Sequence, residues 1–299
     1  MPLPDNRFVN LCRAGLEYAG LSYRIAPFPI RRLARPWRRD ELPQAPGRRT
    51  APPDFVGIGT QKSGTSWWAS LIEEHPEVTP NLFNRKEMHY FTHFFETPMT
   101  DEAIEAYHAA FARPEGQLCG EWTPNYMASP YTMALLRRAA PDARLLVLVR
   151  DPVDRYASGF NHELKQRYGG VIGPAARLRV IKKYALRKES IWNGMYAAQM
   201  DIVLRHFPRE RVLVLQYEQC RSKPEAMIRK TYAFLGIDPD FSPAGIDRAV
   251  NVQRRVTAPL ADSTRRLLAD VYVDDAKRLA ERFPDEIDLD LWTELNDAA

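Results

Sequence analysis

The feature that most constrains the fold is residues 54–68, where a strand, a loop with two glycines and a helix are predicted in succession. Phe55 to Ile58 is a short apolar run with β-branched members, which is typical of a buried strand. After the loop, apolar residues recur at helical spacing from Trp67 up to Pro76. This succession favours a phosphate cradle, because the loop amides and the positive end of the helix dipole both face the anion.

The loop differs from the nucleoside triphosphate loop in the position of its lysine. Gly59 and Gly64 have the spacing of G-x-x-x-x-G-K-[ST], but Thr65 stands where that motif has lysine. The lysine lies inside the loop instead, at Lys62. The sequence therefore predicts a phosphate-binding loop whose lysine lies between the two glycines and not after the second one. The plainer alternative is an ordinary strand-to-helix turn that happens to contain a lysine.

Further strands and helices alternate along the chain. Strands are predicted at 118–122, 144–150 and 211–217. Helices are predicted at 129–138, 153–165, 193–207, 223–235 and 262–283, with Pro130 in the first turn of the first one. The alternation predicts an α/β fold, with a single domain at 51–299 whose central parallel sheet is flanked by helices.

Composition and cysteine usage restrict the class of protein. The 299 residues are 45% hydrophobic and 27% charged, as in soluble globular proteins, and no apolar run has the length of a membrane span. No apolar segment with a small-residue cleavage site opens the chain, so no signal peptide is predicted. Cys12, Cys119 and Cys220 are too widely spaced for a disulfide framework or a metal site, which favours a reducing, cytoplasmic compartment.

Residues 1–50 form an Arg- and Pro-rich N-terminal extension. They contain ten arginines and four acidic residues, a balance of +6, so the rest of the chain carries +4 − 6 = −2. Such a head is a candidate for peripheral contact with an anionic membrane or polymer. The alternative is a partly packed extension whose arginines are simply solvated.

Arg150 and Ser158 are candidates for holding a second phosphate. Arg150 follows a predicted central strand, and Ser158 lies early in the next helix. In open α/β sheets, ligands bind at the carboxyl ends of the strands, where a guanidinium and a hydroxyl suit a phosphate. The alternative is an arginine that closes the C-terminus of a helix.

Residues 86–91, with the sequence KEMHYF, place an acid and an imidazole soon after the predicted cradle. Glu87 is the candidate general base, and His89 is the alternative. The alternative is that residues 86–91 have no catalytic role and are a surface Lys–Glu pair beside a core aromatic pair. The remaining histidines have no ligand spacing with acids or cysteines, so no metal site is predicted.

Two of these segments resemble the signatures of the sulfotransferase family that uses 3′-phosphoadenosine 5′-phosphosulfate as donor. They are Gln61 to Trp67, with the sequence QKSGTSW, and the segment RDPVDRYASGF, which contains Arg150 and Ser158. The segment LVLQYE at 213–218, followed by FLG at 234–236, also matches. The resemblance covers about residues 54–292 and leaves the basic head unexplained.

The resemblance implies a role for each donor-site residue. The P-loop-like loop binds the 5′-phosphosulfate, and Lys62 neutralises the bridging oxygen as the sulfuryl group leaves. Arg150 and Ser158 hold the 3′-phosphate, which distinguishes this donor from ATP. The adenine is contacted by Trp67 and Tyr217, and a basic segment with Arg254 and Arg255 closes on the 3′-phosphate. The implied loop residues are Gln61, Lys62, Ser63, Gly64, Thr65 and Ser66.

Residues 86–91 are similar to the Lys-Glu-x-x-[Phe/Tyr]-Phe stretch of the heparan-type carbohydrate sulfotransferases, in which the glutamate is the base. Many small-molecule sulfotransferases use a histidine instead. Residues 121–126, EWTPNY, resemble that branch's Glu-Lys-[Ser/Thr]-x-x-Tyr segment, but Trp122 replaces its lysine. This departure removes a cation near the donor.

Together these features predict an in-line sulfuryl transfer without a metal, which leaves 3′,5′-adenosine bisphosphate as product. The partner is a small-molecule, glycan or lipid acceptor with a hydroxyl or amine, and no nucleic acid is expected. Two other functions remain open, a non-catalytic protein that binds the bisphosphate and an ATP-dependent kinase. The sequence names neither the acceptor nor the oligomeric state.

Overall fold

The computed structural model describes residues 36–168, 184, 187–247 and 259–296. Residues from Arg38 onward form one compact unit, and within it the backbone of Arg49 pairs with that of Arg113. Most of the basic head and the segment with Arg254 and Arg255 lie outside the described residues. The boundary at residue 50 and the role of the head stay predictions.

Four parallel strands form the sheet of the described region, in the order β2-β1-β3-β4. Their bounds are β1 Phe55–Gly59, β2 Gly120–Trp122, β3 Arg144–Val149 and β4 Val212–Gln216. Strands β1, β3 and β4 are apolar and almost completely buried, as expected for a parallel sheet covered on both faces. The predicted α/β fold with a central parallel sheet is confirmed.

Helices connect and cover these strands. Their bounds are α1 Thr65–Glu73, α2 Asp101–Ala109, α3 Thr132–Ala139, α4 Pro152–Tyr168, α5 Lys188–Trp192, α6 Tyr196–His206, α7 Tyr217–Ser222, α8 Pro224–Leu235, α9 Asp262–Arg282 and α10 Thr293–Asn296. Short 3-10 turns lie at Arg39–Glu41, Tyr90–Phe94, Arg209–Arg211 and Leu289–Leu291. Helix α8 ends as predicted, at Gly236, whose φ of 71° is left-handed.

Several predicted boundaries are wrong by one to three residues, among them the starts of β2 at Gly120 and of α6 at Tyr196. Helix α3 begins at Thr132, and Pro130 precedes it, because the hydroxyl of Thr132 and the amide of Ser129 close tight turns with nearby backbone carbonyls. Strand β4 ends at Gln216, so Tyr217 starts a helix instead of ending a strand. The start of α3 thus depends on side-chain and turn contacts that hydrophobic periodicity does not contain.

Helix α1 is fixed to the sheet and to α8, and this determines where the preceding loop can lie. On one face, residues of α1 and α8 pack with alternating residues of the strands, among them Leu146, Leu148 and Leu213. The indole N–H of Trp68 donates to Thr231 Oγ1 at 3.0 Å, and the hydroxyl of Tyr232 donates to the carbonyl of Leu71 at 2.7 Å. The start of α1 is therefore held against the core.

The other part of the helical layer is joined by contacts among α4, α6, α9 and α10. The Asp275 carboxylate of α9 accepts hydrogen bonds from the amides of Ala197 and Ala198 at the start of α6. A carboxylate at this end of a helix is favourable because it meets free N–H groups and the positive end of the dipole. Within the described ranges, no helix is both long and apolar enough to cross a membrane.

Candidate active site

The loop between β1 and α1 is attached to the neighbouring strand β3. The amide and the hydroxyl of Thr60 both donate to the carbonyl of Leu148, at 3.0 and 2.9 Å, and the hydroxyl of Ser63 lies 2.6 Å from that of Thr60. Lys62 has a left-handed backbone, with a φ of 71°. Gln61 and Lys62 are half-buried, while Ser63 is buried. The loop is thus a fixed turn at the carboxyl edge of the sheet, where ligands bind in this architecture.

Gly64 is required for this turn on two grounds. Its φ of 87° is left-handed, and a Cβ atom on it would lie 2.7 Å from the ring of Tyr217. The same ring lies under the guanidinium of Arg150, 5.1 Å from its centroid. Tyr217 therefore joins the loop after β1 to the residue that follows β3, and three predicted donor-site residues come together.

Arg150 has donor capacity left for a ligand. Its Nη2 donates to Asp154 Oδ2 at 3.0 Å, and its carbonyl accepts from the Tyr196 hydroxyl at 2.8 Å. Its Nε is buried and has no hydrogen-bond partner among the described residues. An unpaired buried N–H is costly, so it marks a place for an acceptor. Arg150 precedes α4, which excludes the alternative of an arginine closing a helix, and Ser158 is half-buried in α4.

A second arginine approaches this place and was not found from the sequence. Arg265 of α9 lies 2.6 Å from Glu294 Oε1 and 3.8 Å from Asp154 Oδ1. Asp154 is therefore flanked by Arg150 and Arg265, which are 115 positions apart in the chain. No local pattern signals this contact, because it depends on how α9 packs on α4.

The side chain of Lys62, in the loop after β1, is under the electrostatic influence of Glu87 and Lys86. Burial lowers the pKa of Lys62 to about 8, while the charge of Glu87 raises it and that of Lys86 lowers it further. The charge of the predicted base thus acts on the predicted loop cation. This is the arrangement that a transfer between donor and acceptor requires.

Residues 86–89 form a connected polar cluster. Lys86 Nζ lies 3.1 Å from Glu87 Oε1, and His89 Nε2 lies 3.2 Å from Glu87 Oε2. Burial raises the pKa of Glu87, but the hydrogen bond with His89 and the charge of Lys86 outweigh it and lower the pKa to about 2. The carboxylate is therefore ionised and able to accept a proton, although the low pKa makes it a weaker base.

His93 is a different kind of histidine. Burial lowers its pKa to about 4, and the neighbouring His89 lowers it further. It is neutral near pH 7 and lies in the 3-10 turn Tyr90–Phe94, as part of the packed aromatic segment. The prediction that the remaining histidines are structural agrees with this placement.

A buried network holds residues 88–90 in place, and the sequence did not identify it as part of the site. Thr123 Oγ1 accepts from the amides of Met88 and His89, at 2.9 and 3.2 Å, and donates to Glu121 Oε2 at 2.5 Å. The amide of Tyr90 donates to the hydroxyl of Tyr126 at 2.8 Å. The segment that carries Glu87 is thus positioned by side chains more than thirty positions away.

Trp122 is structural in this chain. It is 1% exposed, its indole N–H donates to the carbonyl of Gly59 at 3.0 Å, and its ring fills the space in which Gly57 would carry a Cβ. Its amide donates to the carbonyl of Lys86 at 2.8 Å. The position that carries a lysine in the heparan-type motif therefore supports the end of β1 and supplies no charge.

The other donor residues lie at the start of α1. Thr65 and Ser66 are its first two residues, and Gly64 caps it. Trp67 is 8% exposed and packs edge-to-face on Trp68, with 5.1 Å between ring centroids. Its indole N–H is buried without a partner in the described part of the chain. The role of Trp67 toward adenine stays a prediction, and so does that of Arg254 and Arg255.

The sequence profile described as "Sulfotransferase domain" matches residues 52–254. The chain belongs to the sulfotransferase family. This confirms the family recognised from the loop and the Arg150–Ser158 segment, and the predicted enzyme class is that of the family. Within the described residues, no cluster of three or more His, Cys, Asp or Glu side chains suits a metal ion. The metal-free mechanism itself stays a prediction.

Similar proteins include mouse heparan sulfate glucosamine 3-O-sulfotransferase 6, with 28% identity over 225 residues, or 71% of this chain and 62% of that protein. The membrane-associated sulfotransferase kil1 of Dictyostelium discoideum is 31% identical over 275 residues, which covers 64% of this chain and 58% of kil1. This sulfotransferase chain thus spans about three-fifths of the length of these two curated relatives.

Among solved structures, a sulfotransferase from Alicyclobacillus acidocaldarius aligns with a TM-score of 0.62 and 24% identity, over 81% of this chain and 99% of that one. At this identity the alignment shows a shared fold. It agrees with the parallel sheet described above.

Proposed function

We propose that this protein transfers a sulfuryl group from 3′-phosphoadenosine 5′-phosphosulfate to an acceptor hydroxyl or amine by in-line displacement. The observation that carries the proposal is that Glu87 lies beside the predicted donor loop: Lys86 Nζ links Glu87 Oε1 to Thr65 Oγ1 and Ser66 Oγ, and the charge of Glu87 acts on Lys62. A donor cation and an acceptor-side carboxylate are the two groups that such a transfer needs on opposite sides of the reacting atom.

The residues present suit the proposed donor. The loop and the start of α1 offer amides, hydroxyls and Lys62 to a 5′-phosphosulfate. Arg150 offers a buried, unpartnered Nε to a second anionic group, and Ser158 lies in the following helix. A 3′-phosphate is the group that this donor has and ATP lacks, so the donor-capable Arg150 favours the sulfuryl donor over ATP.

The proposed reaction transfers one proton, forms one bond to sulfur and breaks another. Glu87 accepts the proton of the acceptor group, whose oxygen or nitrogen forms a bond to sulfur. The bond between sulfur and the bridging oxygen breaks, and its electron pair stays on the phosphate of adenosine bisphosphate. Lys62 and the loop amides stabilise that growing negative charge, as preorganised donors do. His89 is the alternative base. It contacts Glu87, so whichever of the two acts as the base has the other as its hydrogen-bond partner.

A carbohydrate is the acceptor class that the relatives favour. Mouse heparan sulfate glucosamine 3-O-sulfotransferase 6 is named for a glycan substrate. Residues 86–91 carry the motif that resembles the heparan-type branch, although Trp122 departs from it. We therefore propose a carbohydrate hydroxyl first, with lipid and natural-product hydroxyls or amines as alternatives. A cytoplasmic location remains our proposal from cysteine usage, and so does membrane contact through the basic head.

The test is a thermal-shift titration with 3′,5′-adenosine bisphosphate beside ATP and ADP. A ligand that binds only the folded state raises Tm according to its affinity and concentration. We expect stabilisation by the bisphosphate alone, lost in Arg150→Ala and retained in the matched control Arg221→Ala, whose side chain is exposed. Equal stabilisation by ATP would favour the kinase and remove the proposal. Selective stabilisation without sulfuryl transfer to any acceptor would identify the non-catalytic protein.

A further inference from the structure

Lys86 occupies the space between the donor loop and the proposed base. Its Nζ lies 3.0 Å from Thr65 Oγ1, 3.0 Å from Ser66 Oγ and 3.1 Å from Glu87 Oε1. An ammonium group has three donor positions, and these three oxygens match them. The side chain is 19% exposed, so the charge is largely removed from water yet can be reached from the cleft.

The surroundings leave positive charge on the donor side of this cluster. On that side Lys86 contacts two neutral hydroxyls, and Lys62 adds a second positive charge nearby. The carboxylates that act on Lys86 are Glu87 and, from α1, Glu73. Burial lowers the pKa of Lys86, and the charges of both carboxylates oppose this shift only in part. A concentrated positive charge beside the helix N-terminus suits an anion at this place.

Trp122 stands where the similar carbohydrate sulfotransferases have a lysine, and its indole is committed to Gly59 and to the packing of β1. The carbonyl of Lys86 accepts from the Trp122 amide, so the backbone that carries Lys86 is anchored to the same strand end. Of the two segments, residues 86–91 and 121–126, only the first places a lysine beside the start of α1.

We propose that Lys86 is a second catalytic cation, which exchanges its contact with one of the two hydroxyls for a non-bridging oxygen of the transferring sulfuryl group while it keeps Glu87 oriented toward the acceptor. The inference rests on the sulfuryl transfer proposed above. Lys62 stabilises the leaving phosphate, and Lys86 stabilises the sulfuryl group during its transfer. No bond to Lys86 forms or breaks, and its protons stay in place throughout the transfer.

This role predicts different changes in affinity for two ligands that differ only in the sulfuryl group. Lys86→Met should weaken binding of 3′-phosphoadenosine 5′-phosphosulfate by about tenfold, because the contact with the sulfuryl oxygens is lost. Affinity for 3′,5′-adenosine bisphosphate should change by less than about twofold, because that ligand lacks the sulfuryl group. Lys86→Arg keeps the charge and should retain part of the difference.

Turnover supplies a second readout. With heparan sulfate as the acceptor probe, Lys86→Met should lower kcat by about tenfold or more. The charge of Lys86 helps to keep the pKa of Glu87 low, so its removal raises that pKa. The acidic limb of the profile of kcat/KM against pH should therefore move to higher pH. The other charged groups that act on or are acted on by Lys86, namely Lys62 and Glu73, are unchanged in this variant.

The experiment is calorimetric titration of wild type, Lys86→Met, Lys86→Arg and the matched control Lys277→Met with both nucleotides. Lys277 is exposed on α9, so its variant should bind like wild type. A selective loss of affinity for the sulfuryl donor in Lys86→Met supports the proposal. Equal loss for both nucleotides, or no loss, overturns it. If wild type binds neither nucleotide, the proposed function fails first, and the Lys86 role fails with it.

Discussion

The two sides of the reaction centre are built in different ways. On the donor side, the loop from Thr60 to Gly64 joins a strand to a helix, and its lysine and glycine stand within a few residues of each other, although Thr60 also bonds to Leu148 of β3. On the acceptor side, Glu87 lies in a segment without strand or helix, and buried side chains from residues 121–126 hold the residues after it. Donor chemistry is thus encoded locally, while acceptor chemistry depends on contacts that only the folded chain provides.

The largest effect is expected on the donor side, at Lys62. Lys62→Met removes the cation beside the leaving phosphate and should lower kcat by about a hundredfold, the size expected for loss of one preorganised donor. Tm of the unliganded protein should be unchanged or slightly raised, because burial already penalises this charge. Steady-state kinetics together with a melting curve measure both. A variant with normal turnover would show that the loop does not carry the transfer.

Glu87→Gln should have the next largest effect, a loss of kcat by about ten- to a hundredfold, since the amide cannot accept the acceptor's proton. Affinity for 3′,5′-adenosine bisphosphate should be preserved, because the glutamate lies on the acceptor side. His89→Gln is the paired variant, and it should cost less because it alters only the partner of the base. If His89→Gln is the more damaging change, His89 is the base and Glu87 orients it.

A third effect should appear at Thr123, which contacts no reacting group. Thr123→Val keeps the shape but leaves the amide of His89 without its acceptor and the amide of Met88 with only Glu121 Oε2, at a cost of about 1–3 kcal/mol in the free energy of unfolding. We expect kcat to fall by about tenfold with unchanged bisphosphate affinity, since a displaced base is a poorer one.

The matched control for that variant is Thr231→Val on the donor side. Thr231 is equally buried and accepts from the Trp68 indole. Its loss should reduce stability without a selective loss of turnover. If both variants lower kcat in proportion to their loss of stability, the network around Thr123 is merely structural and the contrast between the two sides disappears.

The same contrast explains how much of the molecule could be predicted. Periodicity and spacing within a few residues predict the strand that begins at Phe55, the loop lysine and Arg150. In the structure, the end of that strand, the loop and Arg150 lie at one edge of the sheet. The contacts of Lys86 with Thr65 and Ser66 join residues about twenty positions apart, and no sequence pattern specifies them.

Trp122 shows a second limit of prediction from the sequence. The sequence identified the missing lysine, but only packing reveals what the tryptophan does instead, beneath Gly57 and Gly59. Arg265 approaches Asp154 through the docking of two helices, which a single sequence does not display. Local rules therefore predicted the donor groups, and tertiary contacts determined how the acceptor side is held.

The smallest predicted effect is a shift in pH dependence that couples the two sides. Burial lowers the pKa of Lys62 to about 8, so its ammonium is lost as pH rises through that value and the basic limb of kcat/KM should lie there in the free enzyme. The charge of Glu87 raises this pKa, so in Glu87→Gln the ammonium is lost at lower pH. The residual activity of that variant should therefore decline at a pH about half a unit to one unit lower than in wild type. Lys277→Met should leave the limb in place. An unmoved limb in Glu87→Gln would mean that the two sides do not interact electrostatically, and it would separate the donor cation from the acceptor base.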